Sequence, residues 1–394
     1  MRTTWTFASA TQLLFGRGAV AELGDSLRRL GISRVLVVTD RKLIEAGVWE
    51  SVHASLAAAA VQWHLFPEGQ PEPSLDLADR CAAEARRLNP EGVVGLGGGS
   101  NMDIAKMAAL LLRHPGSSST YLGEGKVPGP IAPLVCLPTT AGTGSEVSHA
   151  AAFTDTERRV KTGMLSENLR PRLAIVDPDL TRSCPPRVTA ESGIDALTHA
   201  IEAYTAIDNA HFPLPPGERS NYQGKNPLGD LFAGEAIRLS ARYLRRAVAD
   251  GSDMEAREGM ALAATLGGLA FSNVGVALVH ALEYAIGGAV PVSHGAGNGL
   301  LLPFVMHFNQ LGREAQLSQI AEWFGEPPLP ENAIRAVEKL KRDIGIPERL
   351  RELGIRYDQL RSLAENAWSI RRITRVNPRP ATVEDLEQIL QQAW

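Results

Sequence analysis

Apolar and polar positions follow two different rhythms along the chain. In the first half, short β-branched or apolar runs stand at 33–39 (SRVLVVT), 61–66, 92–96, 132–137 and 173–177. Helical periodicity fills about 42–60, 75–88 and 101–114 between them. Strands separated by helices predict a parallel sheet covered by helices on both faces.

The rhythm changes after Cys184-Pro185-Pro186. Helical patterns then follow at 188–205, 228–249, 253–271, 275–287, 296–309, 312–324, 331–344, 358–369 and 383–393, with no strand signal between them. The predicted class is therefore α/β plus all-α. A parallel-sheet dinucleotide-binding domain over 1–184 precedes a helical domain over 185–394. Two domains also suit 394 residues, because single cores stop growing at about 250–300. The stretch 208–228 (DNAHFPLPPGERSNYQGKNPL) fits neither rhythm and reads as a loop inserted between helices. The run 260–282 carries no charged side chain and is long enough for a membrane span. Gly267-Gly268, Ser272-Asn273, Gly275 and His280 interrupt it, which favours two buried helices of a soluble core.

Charge and cysteine content narrow the function classes. The net charge is −4, which leaves no basic excess for nucleic acid. Cys81, Cys136 and Cys184 are odd in number and far apart, so neither a disulfide framework nor a thiolate metal site is expected. No secretory signal opens the sequence, and a cytoplasmic location without membrane attachment is expected.

Two loops at predicted strand ends carry nucleotide-binding chemistry. In Gly95–Ser100 (GLGGGS), glycines allow close approach of a pyrophosphate to a helix N-terminus. The candidate contacts are Gly97, Gly98, Gly99 and Ser100. Ser100 is expected to cap the helix, with Asp103 three residues on. The pattern departs from the usual fingerprint, because Ser100 replaces its third glycine and the acidic strand end, Asp40, lies upstream. The second loop, TTAGTGSE at 139–146, offers Thr139, Thr140, Thr143 and Ser145. Asp40 can accept both hydroxyls of an adenine ribose and would repel a 2′-phosphate, favouring NAD over NADP. A tight glycine turn and a helix-capping Asp40 are the plain alternatives.

The helical half carries a metal signal. Asp195 and His199 stand four apart in GIDALTHAIE, so one helix face presents both. Alone, such a pair is usually a capped or solvated face. His280 and His294 add weight, since both lie in the most apolar part of the chain and need a hydrogen-bond or metal partner. One Asp and three His without thiolate suit Fe(II) or Zn(II).

The segments GGGSNMDIAK (97–106), TTAGTGSEVS (139–148), GIDALTHAIEAY (193–204) and HALEYAIGGAVPVSHGAGNGLLLPFVMHFN (280–309) together resemble the iron-containing (group III) alcohol dehydrogenases. The resemblance runs through nearly the whole chain. It implies the dehydroquinate synthase-like fold, with an active site in the cleft between an N-terminal dinucleotide domain and a C-terminal helical domain. It implies Asp195, His199, His280 and His294 as ligands of Fe(II), with Zn(II) or another divalent cation as alternatives. Asp40, Gly97–Ser100, Thr139, Thr140, Thr143 and Ser145 match its NAD-contacting positions. Lys161 matches a lysine near the cofactor. Tyr284 stands where family members often carry a further His that serves nicotinamide contact or proton release.

The activity so implied is NAD(H)-linked interconversion of alcohols, chiefly primary, and aldehydes, in a homodimer or larger homo-oligomer. The 208–228 insertion resembles that of the hydroxyacid–oxoacid transhydrogenases, which makes transhydrogenation with bound nicotinamide the alternative. Sugar-phosphate cyclase or lyase chemistry is disfavoured, because residues 280–294 offer no Lys or Arg for a substrate phosphate.

Overall fold

The computed structural model describes residues 2–156, 160–214, 217–218 and 220–394. The chain divides into two compact units.

The α/β unit holds residues 9–156 and 162–185 among those described. Its strands are β1 (Gln12–Phe15), β2 (Arg34–Val38), β3 (Gln62–Phe66), β4 (Gly92–Gly97), β5 (Gly123–Glu124), β6 (Leu134–Pro138), β7 (Ala150–Asp155), β8 (Val160–Leu165, whose first two residues count with the helical unit) and β9 (Leu173–Val176). Six of them form a parallel sheet in the order β1-β9-β6-β4-β2-β3. β2 and β4 are near-continuous apolar runs because helices cover both sheet faces. One core cluster joins the helices Leu75–Leu88 and Gly99–Arg113 to one face. The other joins Leu23–Arg29 and Val48–Ala58 to the opposite face.

The five expected strands are present, and β1 is added at the edge. Its four residues, QLLF, are partly exposed and lack β-branching, so the pattern gave no strand signal. A second sheet, β5-β8-β7, was also not expected. Its strands mix Gly, Lys, Thr and Ala with apolar residues, which obscures alternation.

The helical unit contains ten α-helices among the described residues. Nine lie in the regions expected, and a single turn, Arg371–Thr374, is additional. The uncharged run splits between Met254–Val274 and Leu278–Ala289, bent by 99° where Gly275 adopts φ +119°. Both helices are largely buried. Among the described residues, no single helix is long and apolar enough to cross a membrane.

A single cut after residue 184 does not capture one feature. Residues 2–8 pack with the helical unit, because Gln223 and Asn273 satisfy their backbone groups. Thr6 N donates to Gln223 Oε1 at 2.9 Å, and Ala8 N donates to Asn273 Oδ1 at 2.8 Å. Backbone pairing of this kind leaves no apolar period to read.

Candidate active site

In the α/β unit, sheet order brings the two candidate loops together. β4 pairs with β6, with Gly97 opposite Pro138, so both loops leave neighbouring strand ends. Thr139 N donates to Gly97 O at 3.0 Å. A Cβ on Gly99 would stand 2.8 Å from Thr143 Cγ2, and one on Gly98 would stand 3.3 Å from Thr140 Oγ1. The glycines therefore permit loop-to-loop contact as well as approach by a ligand.

Three of the candidate residues take protein partners or positions that the spacing alone did not specify. The helix begins at Gly99 with Gly98 at its N-cap, so Ser100 lies in the first turn and is not the cap. Asp40 caps Arg41–Glu45 by accepting from Leu43 N at 3.0 Å, while its Oδ2 accepts from Asn101 Nδ2 at 2.9 Å. The capping alternative is thus realised, and Asn101 ties the carboxylate to the glycine loop. Asp103 turns inward: it accepts from Ser145 Oγ at 2.8 Å and from Ala152 N at 2.9 Å. It positions the second loop.

Lys106 completes this inner network. Its fully buried ammonium donates to Ser145 Oγ at 2.8 Å, Ser148 Oγ at 3.2 Å and Ala150 O at 2.6 Å, and lies 3.9 Å from Asp103 Oδ1. Burial pulls its pKa below the usual lysine value, and Asp103 opposes that pull. Lys106→Met is expected to lower unfolding free energy by about 3–5 kcal/mol, because Asp103 loses its buried cation. Urea unfolding checks this, and an unchanged midpoint would contradict it.

The helical unit gathers the metal candidates. Asp195 and His199 lie on Pro186–Thr205, His280 on Leu278–Ala289, and His294 at the first residue of His294–Asn309. His294 therefore opens a helix. Ligand atoms of Asp195, His280 and His294 all lie within 4.8 Å of one another. Each histidine Nε2 is 3.8 Å from Asp195 Oδ1. His199 stands beside this set and not within it. Its ring stacks between Phe271 at 4.2 Å and His280 at 4.7 Å, with Nδ1 3.9 Å from Asp195 Oδ2. Tyr284 is also adjacent, its ring 5.8 Å from that of His294.

Two buried carboxylates behind the histidines carry roles the sequence reading did not assign. Glu202 Oε2 lies 2.6 Å from His280 Nδ1, and Glu283 Oε2 bonds His294 Nδ1. A carboxylate only accepts, so each Nδ1 donates and Nε2 is the ring atom left to face Asp195 and to ligate a cation. A signal for both existed. Glu202 stands seven residues after Asp195 and three after His199, and Glu283 is the one acidic residue in an apolar helix, where a charge needs a partner.

The donor set fits a cation. Three acceptors, Asp195 Oδ1, His280 Nε2 and His294 Nε2, converge on the amide of Asn298, whose Nδ2 lies at 2.8, 3.2 and 3.1 Å from them respectively. With the imidazoles unprotonated at Nε2, as cation binding requires, the amide's two N–H groups cannot serve all three atoms. The same amide leaves its buried Oδ1 without a hydrogen-bond partner among the described residues. Burial raises the Asp195 pKa, but the charges of His199, His294 and His280 outweigh it and hold the carboxyl below its usual value. Burial likewise opposes ionisation of Glu283, yet His294 and Lys161 bring it down to about 2. His294 moves up to about 9: burial lowers it, and Glu283 and Asp195 more than offset that.

Comparison with known proteins matches the chain to a family. The iron-containing alcohol dehydrogenase profile matches residues 10–178, and the C-terminal profile of the Fe-containing alcohol dehydrogenase family matches 220–394. The NAD-dependent methanol dehydrogenase of Bacillus methanolicus is 37% identical over 387 residues, covering 96% of this chain and 97% of that protein. The chain belongs to the iron-containing alcohol dehydrogenases. A solved 1,3-propanediol oxidoreductase superposes with TM-score 0.91 at 34% identity, covering 99% of this chain and all of that one, 100%. The mitochondrial hydroxyacid-oxoacid transhydrogenase of Xenopus tropicalis is 34% identical over 416 residues, covering 98% of this chain and 90% of that protein. This iron-containing alcohol dehydrogenase is thus an oxidoreductase with the parallel-sheet and helical architecture of its family.

Proposed function

We propose that the protein interconverts primary alcohols and aldehydes with NAD(H), using a divalent cation, iron first, held by Asp195, His280, His294 and His199. The observation that carries this reading is the convergence of Asp195 Oδ1, His280 Nε2 and His294 Nε2 with both Nδ1 atoms tied to carboxylates. When bound, the cation supplies Lewis acidity that favours loss of the alcohol proton, and the nicotinamide supplies the hydride acceptor.

The chain's own residues provide binding and orientation. Glu202 and Glu283 fix the imidazole tautomers. Gly97, Gly98, Gly99, Ser100, Thr139, Thr140 and Thr143 offer backbone and hydroxyl groups to the cofactor phosphates. Asp103 and Ser145 hold the second loop in place. Tyr284, beside His294, carries a hydroxyl where an alcohol proton can be passed on. A cytoplasmic homodimer or larger assembly belongs to the same reading; Cys81 and Cys136 are free buried thiols, consistent with a reducing compartment.

The test is elemental analysis of fresh protein, then an alcohol panel with NAD and NADP. Metal content near one per chain and alcohol-dependent reduction of NAD are expected. Asp40→Gly should shift the NAD-to-NADP preference by about tenfold toward NADP, or ~1.4 kcal/mol, through loss of the negative charge at the β2 end. No oxidation of any alcohol by metal-loaded protein would overturn the reading.

The transhydrogenase relative supports a second reading, hydride passage from a hydroxyacid to an oxoacid on retained nicotinamide. Turnover of such a pair without added NAD would establish it, and strict dependence on added NAD would exclude it.

A further inference from the structure

We propose that Lys161 and Glu283 act as a positioning pair: Glu283 orients His294, and Lys161 supplies the buried donor and counter-charge that keep Glu283 in place. The inference rests on the metal-binding reading above and adds a role to Lys161, a residue otherwise expected at the cofactor.

The two carboxylates behind the histidines are compensated differently. Glu202, on Pro186–Thr205, turns its carboxylate to the start of Leu278–Ala289, where Ala277 N and Val279 N donate to it at 2.9 and 2.7 Å. Free amides and the positive end of the helix dipole suffice there. Glu283 lies inside that helix, where the backbone amides are already committed. Its Oε2 bonds His294 Nδ1, and its Oε1 accepts from Lys161 Nζ at 2.9 Å. The side chains of Lys161 and Glu283 are 6% and 0% exposed, so water does little for either charge.

The surroundings are shaped for this pair. A Cβ on Gly287 would stand 2.9 Å from Lys161 Nζ and from Glu283 Oε1, and a Cβ on Gly297 would stand 2.8 Å from Glu283 Cγ. Two glycines leave the space that the lysine and carboxylate fill.

Charge explains the lysine. With the imidazoles neutral, as cation binding requires, the described carboxylates in contact with them, Asp195, Glu202 and Glu283, less the Lys161 charge on Glu283 leave two negative charges. A divalent cation neutralises that set. Without Lys161 the Glu283 carboxylate loses the buried donor and counter-charge that hold it behind His294, and without Glu283 the lysine opposes the incoming cation.

The test uses full-length protein loaded with Co(II). Its affinity is measured by competition with a chromophoric chelator, and its d–d absorption reports the ligand field. Lys161→Met and Glu283→Gln are each expected to weaken Co(II) binding by about 10–100-fold, with a displaced absorption band in Glu283→Gln. The double variant again carries two negative charges, so its loss should be clearly smaller than the product of the single losses. Lys161→Arg should restore most of the affinity. Lys161→Gln, which keeps a donor without charge, replaces Lys161→Met if that variant does not fold, and the same loss is expected of it.

Unchanged affinity and spectrum in the lysine variants would overturn the proposal while leaving the metal reading intact. Strictly multiplicative losses in the double variant would overturn the pairing. Wild-type protein that binds no Co(II) would overturn the metal reading itself, and this inference with it.

Discussion

The His280→Ala protein is expected to fold, to lose its metal, and to lose alcohol turnover with it. His280 is 1% exposed and contributes one of the three converging acceptors. Its removal takes a ligand from the set and leaves Asp195 and His294 to hold a cation with His199 alone. The loss should exceed the about 10–100-fold typical of a residue behind a ligand. The fold should persist, because Glu202 keeps both amide donors when the imidazole is gone. A stability loss of about 1–3 kcal/mol covers the cavity and the lost stacking on His199. Elemental analysis, circular dichroism and an alcohol assay on one preparation check this. Wild-type turnover from metal-free variant protein would defeat the proposed function.

Gly295→Ala should damage the same site without touching a ligand. Gly295 marks the contact of His294–Asn309 with Pro186–Thr205. A Cβ there would stand 1.9 Å from Glu191 O and 2.6 Å from Glu191 C. These are backbone atoms, so no side-chain rotation relieves the clash and the helices must part. Overpacking costs about 1–3 kcal/mol and sometimes more. The displacement also carries His294, one residue away, from Asp195 on the facing helix. Metal affinity and thermal midpoint should therefore fall together. Gly312→Ala is the control: its φ of +88° brings strain, but no atom lies within 4 Å of its Cβ and no ligand adjoins it. Wild-type metal affinity in Gly295→Ala would show that this close approach does not set the ligand geometry.

The legible parts of this protein share a physical origin. The buried parallel strands were readable because helices on both faces demand continuous apolar runs, as in RVLVV of β2. Asp195 and His199 were readable as a pair because helical spacing places them on one face. His280 was conspicuous because an imidazole in so apolar a run needs a partner. β1 escaped notice because an exposed edge strand need not be apolar or branched. The Ser100 hydroxyl suggests a cap, but the helix starts two residues earlier than that, with Gly98 at its N-cap.

By itself the sequence determined the two-part organisation, the glycine loops and the supply of metal-ligating side chains, since these follow from local periodicity and residue chemistry. Tertiary structure alone decided which atoms meet. It joined Asp195 to histidines 85 and 99 positions away, placed Glu202 and Glu283 behind those histidines, and brought Lys161 to Glu283 across 122 positions. It also turned Asp103 and Ser145 toward each other and bound Asp40 to Asn101. Such choices depend on helix crossings and sheet order, and on where a buried charge finds its counter-charge, none of which local spacing specifies.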